Sequence, residues 1–363
     1  MAGLEGQTLG SYAVLSKLGQ GGMGAVYKAR DHRLQRFVAI KILPAQLATD
    51  EEFVQRFQRE AISAAQFCHS NLVQVFDIGE SNNLHFIIME LVEGESLGHR
   101  LQRKGRMAAG EALAVTVYIA QALAYAWNKA RLIHRDIKPA NIFLSSVGEV
   151  KLGDLGLAKS LADAAGGLTM SGVVLGTPHY MSPEQGRADK QIDCRSDIYS
   201  LGCVLYHMLT GEPPYQGDST ASLIYKHVHE PLPALRAAAP DCPEELAATV
   251  DWMMAKKPED RPQTYEELLA ELAAVRHALL APQPVAAEAA EFAPTQALSA
   301  VTVAENKSTA PARKLPALAL LVSGAVLVGL LTLGLFLWAP WKPGAASKAE
   351  ALETKTIRLW DTP

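Results

Sequence analysis

The sequence predicts an α+β fold that is followed, toward the C-terminus, by a single transmembrane helix. Strand-like and helix-like patterns alternate up to about Ala281, in a chain that is 49% hydrophobic and 20% charged and can therefore bury a core. Farther along, Leu315 to Trp341 contains no charged residue. Such a stretch is long enough to cross a hydrocarbon layer of ~30 Å at a rise of ~1.5 Å per residue.

Shifts in composition divide the 363 residues into segments of different character. The region after the folded domain is rich in Ala, Pro, Ser and Thr with little periodicity, which is typical of a flexible linker. A buried soluble helix is the alternative interpretation of the apolar stretch, although such helices rarely lack charge over this length. The predicted segments are an N-terminal tail at 1–11, a folded domain at 12–281, a linker at 282–314, a transmembrane helix at 315–338 and a short tail at 339–363.

A second apolar stretch, Asp197 to Thr210, is too short to cross a membrane and carries Tyr, Ser and His. It is predicted to be a buried helix of the folded domain.

The basic residues flanking 315–338 balance, so they do not set the orientation of the predicted span. They are Lys307, Arg313 and Lys314 before it, and Lys342, Lys348 and Lys355 after it.

Composition also indicates which compartment and which partners to expect. The net charge of −4 gives no reason to expect a nucleic-acid partner, which would favour a basic balance. Cys68, Cys194, Cys203 and Cys242 show no C-x-x-C spacing, so reduced thiols are expected rather than disulfides or a zinc site. The first ten residues lack a basic and an apolar region, and no secretory signal is expected.

A glycine-rich segment, GQGGMGAV, begins at Gly19. Glycines at its first, third and sixth positions let the backbone turn tightly and approach phosphate oxygens. Dinucleotide-binding folds use the same spacing, but there it opens a helix. Here strand-like sequence lies on both sides, which favours a hairpin folded over a nucleotide. The predicted nucleotide-binding residues of this loop are Leu18, Gly19, Gln20, Gly21, Gly22, Met23, Gly24, Ala25 and Val26.

Lys41 ends the β-branched run VAIK, which follows the glycine-rich hairpin. From that position a lysine can reach the α- and β-phosphates of a nucleotide. A buried ammonium group needs an anion, and Glu60, on a helix predicted to begin after Asp50, is the expected partner. Glu51 and Glu52 are instead expected to be solvated charges at the start of that helix.

The segment from His134 to Asn141 reads HRDIKPAN. At this point the chain resembles the eukaryotic-like protein kinases, over about residues 12–275. The resemblance implies that Asp136 accepts the proton of the substrate hydroxyl, that Lys138 steadies the transferring γ-phosphoryl group and that Asn141 binds Mg²⁺. A lysine two residues after the aspartate indicates Ser/Thr substrates rather than Tyr.

Asp154-Leu155-Gly156 stands where the family has Asp-Phe-Gly. The resemblance implies that Asp154 chelates Mg²⁺, with Mn²⁺ as an alternative, between the β- and γ-phosphates. Leucine in place of phenylalanine still supplies an apolar side chain beneath the helix that carries Glu60.

The activation segment is expected to run from Asp154 to Ser182-Pro183-Glu184. The resemblance implies a buried ion pair between Glu184 and Arg261, and it implies that Asp197 anchors the catalytic loop.

Arg135 precedes the catalytic aspartate, so a phosphate within the activation segment could pair with it. The hypothesis is that Thr169 and Ser171 are activating autophosphorylation sites, with ordinary loop hydroxyls as the alternative. Thr177 is expected beside Asp136 in substrate recognition.

The hinge between the lobes is expected in the apolar strand FIIMELV. By resemblance, Met89 lies at the back of the adenine pocket, and Glu90 and Val92 offer backbone groups to the base.

The resemblance therefore implies a two-lobed protein kinase fold, with a small, mainly β lobe to about Leu91 and a mainly α lobe to about Ala281. It looks like the bacterial transmembrane Ser/Thr kinases of the Hanks type. ATP and reducing conditions place the kinase domain in the cytoplasm and the short tail outside. The expected partners are ATP, protein substrates bearing Ser or Thr, the membrane through one helix and, by family analogy, a second copy in a homodimer.

Two alternatives come from other classes of protein. A pseudokinase scaffold would be favoured by loss of Lys41, Asp136, Asn141 or Asp154, and all four are present. A ligand-sensing receptor would need a folded sensor after the span, and the residues following Trp341 are expected to be too few for one.

Overall fold

The computed structural model describes residues 3–21, 24–155 and 178–280. The linker, the predicted membrane span and the tail that follows it lie outside these residues. So do Gly22, Met23, Gly156 and the central part of the predicted activation segment.

The first lobe is built on a six-stranded antiparallel sheet with the strand order β1-β2-β3-β4-β6-β5. Helix α1, Glu51–Ala65, packs on this sheet and is capped by Asp50, whose side chain accepts a hydrogen bond from the backbone N–H of Glu52. The strands are β1 Thr8–Leu9, β2 Tyr12–Gly21, β3 Gly24–Asp31, β4 Arg36–Ile42, β5 Val75–Ser81 and β6 Leu84–Glu90.

The period of a β-strand explains where Lys41 lies. In β4, Val38, Ile40 and Ile42 alternate along the strand and are buried in the core of the small lobe. Lys41, one residue out of this series, projects from the opposite face and is 5% exposed. The alternation that fills the core thus directs one buried lysine toward the space between the lobes.

The N-terminal end of the domain differs from the prediction. Residues 1–11 are expected to form a tail, yet Thr8 and Leu9 form strand β1 against β2, and Leu9 is fully buried in the small-lobe core. A two-residue strand between turns at Gly6 and Gly10, both with positive φ, is too short to show a periodic pattern. The sheet therefore begins inside the segment assigned to the tail.

The second lobe is mainly helical, and its central helix, Cys194–Thr210, is buried along nearly its whole length. This confirms the buried helix predicted for Asp197 to Thr210. The helices of this lobe are α2 Leu97–Lys104, α3 Ala109–Ala130, α4 Pro183–Gly186, α5 Cys194–Thr210, α6 Thr220–His229, α7 Leu235–Ala238, α8 Glu244–Met253 and α9 Tyr265–Leu280.

Helix α3 is the one described helix that is long and apolar enough to cross a membrane by length and composition. It packs against α5 and α9 inside the large lobe. Buried side chains such as Ile119 and Leu123 line its contact with that core. Its apolar character therefore reflects burial within the lobe.

A small antiparallel sheet of β7 Gly94–Ser96, β8 Ile142–Ser145 and β9 Val150–Leu152 lies where the lobes meet. The segment after α1 is bonded to it, because the Val73 N–H donates to the Leu152 carbonyl (2.9 Å) and the Leu152 N–H donates to the Asn71 carbonyl (2.9 Å). The strand that leads to Asp154 is thereby fixed to both lobes.

Candidate active site

The loop that precedes Asp136 is held by one buried carboxylate. Asp197, in the first turn of α5, accepts hydrogen bonds from the backbone N–H groups of His134 (2.7 Å) and Arg135 (2.9 Å). The hydroxyl of Tyr265 donates to the same carboxylate at 3.3 Å. The expectation that Asp197 anchors this loop is confirmed by these contacts.

Arg135 adopts a left-handed backbone with φ of +66°, which costs free energy in any residue other than glycine. Such a conformation persists only where neighbouring groups fix it. The N–H of the next residue, Asp136, donates to Nδ1 of His134 at 3.3 Å, so Nε2 of that ring is the donor to the Gly153 carbonyl at 2.9 Å. The buried His134 ring thus joins the loop to the residue before Asp154.

Asp136 is surrounded by the two polar side chains that follow it. The ammonium group of Lys138 lies 2.7 Å from Oδ2 of Asp136. Nδ2 of Asn141 donates to the carbonyl (2.9 Å) and to Oδ2 (3.0 Å) of Asp136. One carboxylate oxygen is therefore occupied by two donors, which fixes the rotamer of the carboxylate and directs Oδ1 elsewhere.

Asp154 forms an ion pair with Lys41 across the space between the lobes. Nζ of Lys41 lies 2.7 Å from Oδ1 of Asp154, whose backbone is left-handed with φ of +56°. Burial alone would raise the pKa of Asp154, but the Lys41 charge and hydrogen bond, with smaller contributions from His134 and Lys138, lower it below its usual value. Asp154 is therefore held as a carboxylate.

Glu60 lies on α1 and is half-buried. Lys41 forms an ion pair with Asp154. The pairing of Lys41 with Glu60 stays a prediction.

The residues around Asp154 fit a magnesium–nucleotide ligand. The described residues contain no group of three or more His, Cys, Asp or Glu side chains that could cage a metal alone. Mg²⁺ in nucleotide sites typically takes one or two protein oxygens and completes its shell with phosphates and water. Asn141 turns its Nδ2 toward Asp136, so its Oδ1 is the atom left for a metal. The Asn141 backbone carbonyl accepts from the N–H of Gly153, the residue before Asp154, at 2.8 Å.

The glycine-rich segment forms the predicted hairpin, because β2 and β3 pair up to Gly21 and Gly24. Gly24 has φ of +120°, and a Cβ there would lie 2.0 Å from the Ile42 carbonyl oxygen. A Cβ at Gly19 would meet no atom within 4 Å. The fold itself thus requires glycine at position 24 because of the close contact with β4, independently of any bound phosphate.

The hinge contains an ion pair that the sequence analysis missed. Lys151, in β9, places its ammonium group 2.8 Å from Oε1 of Glu90, at the end of β6. The other oxygen of Glu90 accepts from the backbone N–H of Gln74 at 3.2 Å. A lysine in the buried strand VKL is the signal that could have found this pair, since a buried ammonium group needs an anion.

At the end of the activation segment, Glu184 forms the predicted ion pair with Arg261. The two nitrogens Nη1 and Nη2 of Arg261 lie 2.7 and 2.9 Å from the two oxygens of Glu184, and both residues are buried. Ser196 donates a further hydrogen bond to Glu184. Burial alone would raise the pKa of Glu184, but the hydrogen bonds and charge of Arg261 lower it.

Some of the remaining predicted residues are described by the structure and others lie outside the described residues. Leu155 is described and is buried with the large-lobe core, and the four cysteines are free thiols, as expected. Met89 and Val92 are half-buried at the end of β6 and just beyond it. Thr169, Ser171 and Thr177 lie outside the described residues.

The structure has two lobes joined by a hinge, and Lys41 and Asp154 lie near a loop that carries Asp136 and Asn141. This arrangement is typical of the bilobal kinases. The chain belongs to the protein kinase family, because a family model described as the protein kinase domain matches residues 12–272. The fold is therefore a protein kinase fold.

Relatives of known name agree with this assignment. The chain is 45% identical over 265 residues to the serine/threonine-protein kinase PknB of Mycobacterium tuberculosis, which covers 72% of this chain and 42% of that protein. It is 41% identical over 285 residues to the probable serine/threonine-protein kinase SCO3848 of Streptomyces coelicolor, over 77% of this chain and 42% of that protein. The chain thus spans under half the length of these curated relatives.

A solved structure gives the same fold. The crystal structure of the M. tuberculosis PknI kinase domain superposes with a TM-score of 0.60 at 28% identity and covers 75% of this chain and 98% of that chain.

Proposed function

We propose that this protein is a serine/threonine protein kinase that transfers the γ-phosphoryl group of ATP to protein hydroxyls. The observation that carries the proposal is the grouping of Asp136, Lys138 and Asn141 in one loop, beside the ion pair that Lys41 and Asp154 form across the cleft. The relatives named as serine/threonine-protein kinases support the same activity.

In the proposed mechanism Asp136 accepts the proton of the substrate hydroxyl and orients its oxygen for attack. The contacts to Lys138 and Asn141 hold this carboxylate in one rotamer. Lys138 also lies where it can offset charge on the transferring group. The chemistry is mainly positioning and charge neutralisation, so the fixed side chains are the protein's main contribution.

Asn141 and Asp154 are the proposed ligands of Mg²⁺, with Mn²⁺ as the alternative. When bound, the metal supplies positive charge that neutralises the phosphate oxygens. Lys41 and the backbone of the glycine-rich segment are the proposed contacts to the phosphates, with Glu60 as a further partner of Lys41. Glu90 and Val92 are the proposed backbone contacts to the adenine.

A membrane-anchored protein is the proposed setting for this activity. The charge-free stretch within 315–338 is the support for a single span, and the need for ATP places the kinase domain in the cytoplasm and the tail outside. A homodimer is proposed on family analogy alone.

Phosphorylation of Thr169 or Ser171 is the proposed activating step. Nε of Arg135 is buried without a hydrogen-bond partner among the described residues, which supports a phosphate as its ligand. Mass spectrometry of an active preparation tests this step, and an active protein with neither residue phosphorylated would contradict it.

Incubating the full chain with γ-labelled ATP, Mg²⁺ and a protein substrate tests the proposed activity. Label on Ser or Thr of the substrate is expected from the wild type and is expected to be lost in Asp136→Asn. Asp251→Asn, an exposed carboxylate on α8, is the matched control and is expected to behave as the wild type. Transfer that persists in Asp136→Asn would overturn the mechanism, and no transfer by the wild type would favour a scaffold.

A further inference from the structure

We infer that Gln185 is a positioning residue for Asp136, acting through the peptide bond that joins Arg135 to Asp136. This inference rests on the proposed function, because it assigns a role to Gln185 in the same reaction. Gln185 lies in α4, directly after Glu184, and its side-chain amide reaches the catalytic loop fifty residues earlier in the chain.

The Gln185 amide is held at both ends. Its Oε1 accepts from the backbone N–H of Ser182 at 3.0 Å, and its Nε2 donates to the carbonyl of Arg135 at 2.9 Å. In return, the Ser182 hydroxyl accepts from the Gln185 N–H at 3.2 Å, which completes a capping box at the start of α4. One end of the amide therefore serves the helix and the other end serves the catalytic loop.

The Arg135 carbonyl belongs to a strained part of the backbone. Arg135 has φ of +66°, and the peptide that follows it carries the N–H of Asp136. That N–H donates to the His134 ring, and the carbonyl of the same peptide accepts from Gln185. Rotation of this peptide plane would change ψ of Arg135 and φ of Asp136 and would thereby turn the Asp136 backbone. Gln185 opposes that rotation from outside the loop.

Gln185 is itself carried by a rigid anchor. Its neighbour Glu184 is fixed by the buried pair with Arg261. The place where the activation segment rejoins the large lobe is therefore in direct contact with the loop of the catalytic base. Through Gln185, the position of this anchor sets the orientation of the Asp136 peptide.

The substitution Gln185→Glu separates the two roles of the amide. The carboxylate can still accept from the Ser182 N–H, but it replaces the donor facing the Arg135 carbonyl with an acceptor. Since a hydrogen bond of this kind is worth about 0.5–1.5 kcal/mol, kcat is expected to fall by roughly twofold to thirteenfold, with the KM for ATP unchanged. Gln185→Met removes both contacts and is expected to lower kcat as well.

Ser182→Ala is the matched control. It removes the hydroxyl that caps α4 but leaves the Gln185 amide and its contact with Arg135. A lower Tm with unchanged kcat is expected, because the helix loses its N-terminal cap. A loss of kcat in Ser182→Ala equal to that in Gln185→Glu would overturn the inference and assign the effect to the helix cap.

The pH dependence of kcat in Gln185→Glu distinguishes a positioning role of Gln185 from a merely structural one. Protonation of the introduced carboxylate restores a donor, so the ratio of kcat between the variant and the wild type is expected to rise as the pH falls toward the glutamic acid pKa of about 4.3. A ratio that stays flat, or a variant with the wild-type kcat, would overturn the inference.

Hydrogen exchange at the Asp136 amide provides a measurement that does not depend on phosphoryl transfer. Exchange is expected to speed up in Gln185→Glu and Gln185→Met but not in Ser182→Ala. Unchanged protection in both Gln185 variants would overturn the positioning role even if the wild type is active. Faster exchange in these variants of a chain whose wild type transfers no phosphate would support the positioning role while rejecting the proposed function.

Discussion

Lys151 and Glu90 form an ion pair of 2.8 Å that connects strand β9 to the hinge. Their side chains are only 10% and 27% exposed. Strand β9 leads directly into Asp154, and Glu90 is a proposed contact residue for the adenine. The pair therefore links the metal side of the proposed site to its nucleotide side, in addition to the backbone bonds between Asn71–Val73 and Leu152.

The first prediction concerns this link. Lys151→Met is expected to raise the KM for ATP several-fold with a smaller change in kcat, because Glu90 loses its cation and the hinge is no longer fixed to β9. The swap Lys151→Glu with Glu90→Lys is expected to restore part of the affinity. Steady-state kinetics with varied ATP measure both effects. Lys104→Met, at the exposed end of α2, serves as the control, and an unchanged KM in Lys151→Met would contradict the link.

The second prediction concerns the stability of the large lobe. Arg261→Met leaves the buried Glu184 without its cation, and breaking such a pair costs about 3–5 kcal/mol in the free energy of unfolding. Urea unfolding followed by circular dichroism measures this loss. Arg236→Gln breaks an exposed pair with Glu244 and is expected to cost about 0–1 kcal/mol. Equal losses in the two variants would show that burial of the pair contributes nothing.

The third prediction is the pH dependence of the same pair. The pKa of Glu184 in the folded chain is lowered from its ordinary value of 4.5, so the unfolded chain binds the proton more readily. The stabilisation is therefore fully present above pH 4.5 and is lost as the pH falls through the lower folded pKa. The stability difference between the wild type and Glu184→Gln is expected to shrink over the pH window below 4.5. A constant difference across this window would contradict the assignment.

The fourth prediction compares two glycines of the same loop. Gly24→Ala is expected to lower Tm and raise the KM for ATP, because its Cβ would lie 2.0 Å from the Ile42 carbonyl oxygen and its φ of +120° is unfavourable for alanine. Gly19→Ala has open space around its Cβ and is expected to leave Tm unchanged. Thermal unfolding and ATP titration distinguish the two. Equal Tm values for both variants would show that the β3–β4 contact is not restrictive.

Local sequence signals predicted much of the fold. The acidic residues at 50–52 and the helix-like pattern after them predicted α1, and the apolar run from Asp197 predicted the buried α5. The glycine-rich hairpin was distinguished from a dinucleotide loop by the strands on either side of it. These features depend on residues close together in the chain, whose backbone preferences and periodicity are visible in the sequence.

By itself, the sequence determined which side chains the chemistry has available, and in what order: Lys41, Asp136, Lys138, Asn141 and Asp154. Only the tertiary structure decided that Lys151 pairs with Glu90 and that Gln185 holds the Arg135 carbonyl. It also decided that Leu9 lies in the small-lobe core. In each of these contacts the two groups belong to separate elements that packing brings together. The sequence around a charged or amide side chain does not show which distant group it will contact.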